Sequence, residues 1–109
     1  MTHGNTPNVP ISEQIYRAGC SWAEENAAAQ LLEETKTAVL SQLKGRQGDI
    51  PDSHAERIVK ASDEWTDYIT TMVDARRRAN LARVKYDALK ARMSEQMSIE
   101  ANMRQQNKV

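Results

Sequence analysis

From Ile58 onward the apolar residues keep a strict rhythm. Ile58, Ala61, Trp65, Tyr68, Met72, Ala75, Ala79, Ala82, Tyr86, Leu89 and Met93 follow one another at spacings of three and four. That is a heptad repeat with its a and d positions filled over about five heptads, long enough to predict a coiled-coil helix. From His54 to Val109 there is no Gly or Pro. The pattern therefore predicts one long helix over about 54–105, which at 1.5 Å per residue would run roughly 75 Å. A helix of that length belongs in a coiled coil or an assembly. After Met93 the seam positions turn polar at Gln96 and Glu100, so the end is expected to fray.

The N-terminal half holds a shorter helical pattern, predicted over about 12–44. Gly19 interrupts it, and Ser21-Trp22-Ala23-Glu24 reads as a capping box and a better start. Ala28, Leu32, Val39 and Leu43 form its apolar stripe, and Gly45 is placed as the C-terminal stop. Residues 45–53 (GRQGDIPDS) concentrate two glycines and a proline, so the chain is expected to reverse there. A second capping box, Ser53-His54-Ala55-Glu56, opens the long helix. Residues 1–10, with Pro7 and Pro10, read as a disordered arm. The fold expected is all-α: an arm followed by a single helical-hairpin domain over 11–109.

The middle of the seam is small, at Ala75, Ala79 and Ala82, so a partner backbone can approach closely there. Trp65, Tyr68 and Met72 bracket this waist on one side, and Tyr86, Leu89 and Met93 on the other. A first helix counted from Ser21 covers only the first half of the seam. The rest needs residues 11–20 or another copy of the chain, and a homo-oligomer through Trp65–Met93 is expected.

Composition narrows the function classes. With 39% hydrophobic residues, five aromatics, four glycines and three prolines in 109 residues, β-sandwich, barrel and dinucleotide-binding folds are excluded. The single cysteine, Cys20, excludes a disulfide framework and points to a reducing compartment. Met1–Pro10 shows neither a basic nor an apolar segment of a signal peptide, and no run approaches a membrane span, so a cytoplasmic protein is expected. His3 and His54 have no partners at metal-ligand spacing, and there is no phosphate loop or nucleophile motif. An enzyme, a metal and a cofactor are accordingly not expected.

The zero net charge conceals two opposite halves. Residues 1–74 hold 6 Lys and Arg against 12 Asp and Glu, whereas residues 75–109 hold 9 against 3. The cations cluster at Arg76, Arg77, Arg78, Arg83, Lys85, Lys90 and Arg92. In the heptad frame Arg76, Arg83 and Lys90 all fall at e, and Arg78, Lys85 and Arg92 all fall at g. Two basic edges on one segment need acidic residues from elsewhere in the assembly, or phosphates. Tyr86 lies within the cluster, either as core or as a base-stacking ring.

Trp65 and Tyr68, followed by Ala75, Ala79 and the basic turn Ala88-Leu89-Lys90-Ala91-Arg92, resemble the small phage recombination mediators of the UvsY type. Arg83, Tyr86, Ser98-Ile99-Glu100-Ala101 and Arg104 extend the likeness, which covers at most residues 58–104. The resemblance implies a helical-hairpin oligomer that binds single-stranded DNA and a recombinase, with Arg76 to Arg92 on the DNA. The function expected is a non-enzymatic accessory factor of DNA recombination or replication, in a phage-infected cell's cytoplasm. The alternative is a protein-binding module, such as a phage inhibitor of a host defence complex.

Overall fold

The computed structural model of the chain describes residues 9–108. They form three helices: α1 (Ile11–Gly45), α2 (Asp52–Lys60) and α3 (Asp63–Gln106). No strand occurs among the described residues. α1 and α3 pack antiparallel along an elongated molecule of 84 × 32 × 17 Å. Of the expected arm, residues 1–8 lie outside the described part. Pro10 accepts the first-turn amides of Glu13 and Gln14 at 3.0 and 3.1 Å, and the Gln14 side-chain amide donates to the Val9 carbonyl at 3.0 Å.

α1 takes the bounds expected of the first helical pattern, about 12–44, and not the later start at Ser21. It runs unbroken through Gly19, and Ser21 lies in mid-helix. Gly19 costs about 0.5–1 kcal/mol relative to Ala in a helix, but it serves packing: a Cβ there would sit 3.1 Å from Cε1 of Tyr86. The 35 residues of α1 therefore cover the seam to Tyr86 and beyond, the stretch expected to need residues 11–20 or a second copy. α1 buries Ala18, Ala29 and Leu43, while Ala28 is exposed.

The reversal occupies Arg46–Pro51. Gly48, not Gly45, is the residue at positive φ (86°), where a side chain would be strained. Lys44 bridges the turn to Asp52 at 2.8 Å. This hydrogen bond holds the Lys44 ammonium above its ordinary pKa. α2 starts after Pro51, so the Ser53 capping box does not form.

The predicted long helix is broken at Ala61–Ser62. Ser62 is extended (φ −82°, ψ 154°); its hydroxyl donates to the Val59 carbonyl at 2.5 Å and accepts from the Trp65 amide at 3.3 Å. A single extended residue rotates α2 relative to α3. Ala55 and Val59 are therefore the buried residues of α2, whereas Ile58 and Ala61, which continue the seam in a straight helix, are exposed. From Trp65 to Met93 every seam residue is buried or half-buried.

The core has three zones. Near the turn, Leu43, Val59 and Trp65 pack with Val39, Leu40, Tyr68 and Ile69. The Tyr68 hydroxyl donates to the Leu32 carbonyl across the hairpin. The waist is Ala29 against Ala75 and Ala79, flanked by Leu32. At the open end Trp22 stacks on Tyr86, with centroids 5.8 Å apart and planes 19° apart.

Two consequences are measurable. Ala79 has no exposed surface, so Ala79→Leu should overpack the hairpin itself and cost about 1–3 kcal/mol. The drop in melting temperature should not depend on protein concentration, and Leu89→Ala should cost less. Ser62→Ala should destabilise the chain by about 0.5–2 kcal/mol through loss of its cap. A gain in both helical circular dichroism and melting temperature would instead mean that the sequence favours a continuous helix.

Candidate nucleic-acid interface

All seven cations singled out in the sequence lie on α3 between Arg76 and Arg92. They divide by edge. The e edge turns toward α1. Arg76 is half-buried and forks onto Glu33, with Nε to Oε2 at 2.8 Å and Nη2 to Oε1 at 2.7 Å, while Nη1 donates to Asn26 Oδ1 at 2.8 Å. Arg83 stands over the Trp22 ring at 5.4 Å, and Lys90 over the Tyr86 ring at 4.4 Å. Such cation–π contacts leave the charge at the surface while the stem covers the aromatic pair.

The other cations face outward. Arg77 and Arg78 meet Asp74 at 2.7 and 3.4 Å, one turn back on their own helix. Asp87 lies 3.8 Å from Arg83 and 3.6 Å from Lys90. Lys85 and Arg92 are exposed and make no ion pair among the described residues. The g edge, Arg78, Lys85 and Arg92, thus repeats every seven residues with no acidic side chain of α1 on it. A seven-residue helical repeat is about 10.5 Å.

The pairings act on the carboxylates. The Arg76 hydrogen bond holds Glu33 below its ordinary pKa, and Glu33 raises Arg76 in turn. The Arg77 hydrogen bond, with added attraction from Arg77 and Arg78, lowers Asp74. Asp74 and Asp87 are helical neighbours of these cations at three and four residues, whereas Glu33, one of the N-terminal acids available to the basic edges, is 43 residues from Arg76.

A groove missing from the sequence reading opens beside the aromatic pair. It measures ≈ 520 Å³ and is lined by Ser12, Ile15, Tyr16, Gly19, Cys20, Trp22, Ala23 and Tyr86. Cys20 is a free, exposed thiol in the interior of α1, away from the helix start near which it was expected. Tyr86 takes the core role: it packs against Gly19 and Trp22, and one side of it borders this groove. The apolar positions Ile15, Gly19 and Trp22 on α1 were the available signal, outside the apolar stripe read from Ala28 to Leu43. No three of His, Cys, Asp or Glu among the described residues gather as a metal site. No helix among them is long and apolar enough to cross a membrane.

Searches of family models, curated proteins and solved structures returned no match to this chain.

The Glu33–Arg76 contact has a definite pH signature. Glu33 titrates lower folded than unfolded, so its contribution is present above the unfolded carboxylate range, near pH 4.3, and is lost as pH falls through the folded value. Arg76→Gln should lower the melting temperature slightly at pH 7, because the pair is partly exposed. The gap between wild type and variant should close on acidification below about pH 4. A gap that stays constant across that range would show that Glu33 titrates normally.

Proposed function

We propose that the chain is a non-enzymatic accessory factor of DNA recombination or replication that holds single-stranded nucleic acid along the outer edge of α3. The observation that carries this reading is the g-edge row of Arg78, Lys85 and Arg92 on one rigid helix, exposed and unopposed by α1. Arg77 adds to it, and Asp74 offsets in part the charges of both Arg77 and Arg78. Phosphate contacts of this kind supply affinity without sequence preference and weaken steeply with salt. Arg76 belongs to the fold rather than to the track, since Glu33 and Asn26 occupy its guanidinium.

The working form is a homo-oligomer. α3 continues past the start of α1, and Met97, Ile99 and Met103 on that extension are 58, 58 and 56% exposed. A second copy or a partner such as a recombinase fits there. The second reading, a module that binds protein alone, is favoured by the aliphatic row Val73, Leu81 and Val84, exposed at 58, 55 and 64% on the same helix.

Fluorescence anisotropy with a labelled oligonucleotide over a salt series tests the track. Joint replacement of Arg78, Lys85 and Arg92 by Gln should keep the helix content and melting temperature, because Gln is a good helix former. It should flatten the log–log salt slope by about 0.7 per lost phosphate contact, about 2 in all. Arg76→Gln should leave the slope unchanged. If the chain ignores oligonucleotides at low salt, the protein-binding reading stands alone. Light scattering at micromolar concentration should give more than the 12.3 kDa of one chain; a monomer would overturn the oligomeric part.

A further inference from the structure

The aromatic groove at the open end of the hairpin lies beside the cations, yet the outer-edge track does not use it. Its lining is mostly apolar and aromatic: Ile15, Gly19, Trp22 and Tyr86, with Tyr16 67% exposed. A core function explains Trp22 and Tyr86, which stack on each other. It does not explain Tyr16, whose ring borders the cavity in solvent. The volume, ≈ 520 Å³, comfortably exceeds that of one planar nucleobase. Above the two stacked rings stand Arg83 and Lys90, 5.4 and 4.4 Å from the ring centres. Both long side chains are at least half exposed, and besides the rings they share one acidic neighbour, Asp87, at 3.8 and 3.6 Å.

From this arrangement we infer that the groove is a nucleobase subsite: an unstacked base of the bound strand stacks on the exposed Tyr16 ring, beside the edge of the Trp22–Tyr86 pair, and Arg83 and Lys90 take the phosphates that flank it. The inference rests on the single-strand reading of α3 and adds to it. Aromatic platforms with cations at the rim are how sequence-tolerant sites grip single strands, since every base has a π face and every nucleotide a phosphate. Charge complementarity selects this occupant over an apolar peptide, because the rim is cationic at both rings. Few polar side chains line the groove besides its aromatic residues, namely Ser12 and Cys20. The site therefore accepts bases by stacking, with little discrimination between them. Duplex DNA is disfavoured, since its bases are stacked and paired.

The chain contains two tryptophans, and Trp65 is 7% exposed in the core near the turn, so Trp22 is the responsive one. Titration of the intact chain with oligothymidine should quench tryptophan emission, and Trp22→Phe should abolish the quench while anisotropy still reports binding. A strand of the same length made of abasic sugar-phosphate should bind through the outer edge without quenching. Tyr16→Ala, at an exposed helix position, should weaken oligothymidine binding by roughly 5- to 150-fold, the effect of losing one stacking contact, and leave the abasic strand unaffected. Oligothymidine binding with the expected salt slope but unchanged emission would overturn the subsite and leave the outer-edge track intact. Failure of both strands to bind would overturn both. Trp22 emission that shifts with protein concentration alone, and is then insensitive to oligothymidine, would assign the groove to a second copy of the chain and overturn the subsite.

Discussion

The close approach of α1 and α3 at Ala29, Ala75 and Ala79 sets the geometry of everything else. Ala29 and Ala79 have no exposed surface and Ala75 has 2%. Small residues bring the two backbones together, and side chains that flank the contact can then reach across. Arg76 reaches Glu33 and Asn26, and the Tyr68 hydroxyl reaches the Leu32 carbonyl, only because the axes are near. Buried area at an alanine contact is small, so the large residues at either end supply most of the hydrophobic stabilisation. Leu43, Val59 and Trp65 do so near the turn, and Trp22 with Tyr86 at the open end. The waist fixes distance, and the two ends fix register.

That register divides one basic helix into two chemical edges. Positions e and g look equivalent in a heptad, but α1 is a single helix whose polar residues favour one side. Glu33, Asn26 and Trp22 meet the e edge, so Arg76 becomes part of the hairpin and Arg83 and Lys90 become lids on aromatic rings. On the g edge Lys85 and Arg92 keep their charges for solvent, and Arg78 shares Asp74 with Arg77. The two origins proposed for the basic cluster, internal neutralisation and phosphate binding, therefore need not compete. Internal neutralisation accounts for Arg76, and phosphate binding is proposed for the cations that Glu33 leaves free.

How much of this was legible follows from the range of each interaction. The seam from Trp65 to Met93 was readable because heptad periodicity is a local property summed over many residues. The break at Ser62 was readable in principle, since Ser62-Asp63-Glu64 is a cap followed by two acids. It was masked by a seam pattern that ran through it and by the absence of Gly or Pro. Gly19 misled in the opposite direction. A glycine in a helical pattern suggests an end, whereas here it makes room for Tyr86, a residue on another helix. The capping boxes at Ser21 and Ser53 failed because Pro10 and Pro51 begin their helices earlier. For the site, the cations and their heptad edges were legible, but the e edge's partners and the groove were not. Both depend on how α1 is aligned against α3, which local patterns do not encode.

The elongated shape also gives the charge asymmetry a spatial meaning. Residues 46–67, at the turn end, hold six acidic and three basic side chains, and residues 76–92 hold seven basic and one acidic. The molecule is 84 Å long, many times the Debye length of about 8 Å at physiological salt. Its two poles are therefore felt separately: a polyanion approaching the turn end is repelled, and one approaching the cationic stretch of α3 is attracted. A compact protein of the same composition would present a near-neutral average. For the single-strand partner proposed above, the hairpin would orient the approach before any contact forms, toward the stretch where the outer-edge cations and the aromatic groove lie. In the homo-oligomer proposed above, the same polarity would favour copies that run in opposite directions. A parallel pair aligns like poles, whereas an antiparallel pair brings the acidic turn of one chain toward the basic stretch of the other.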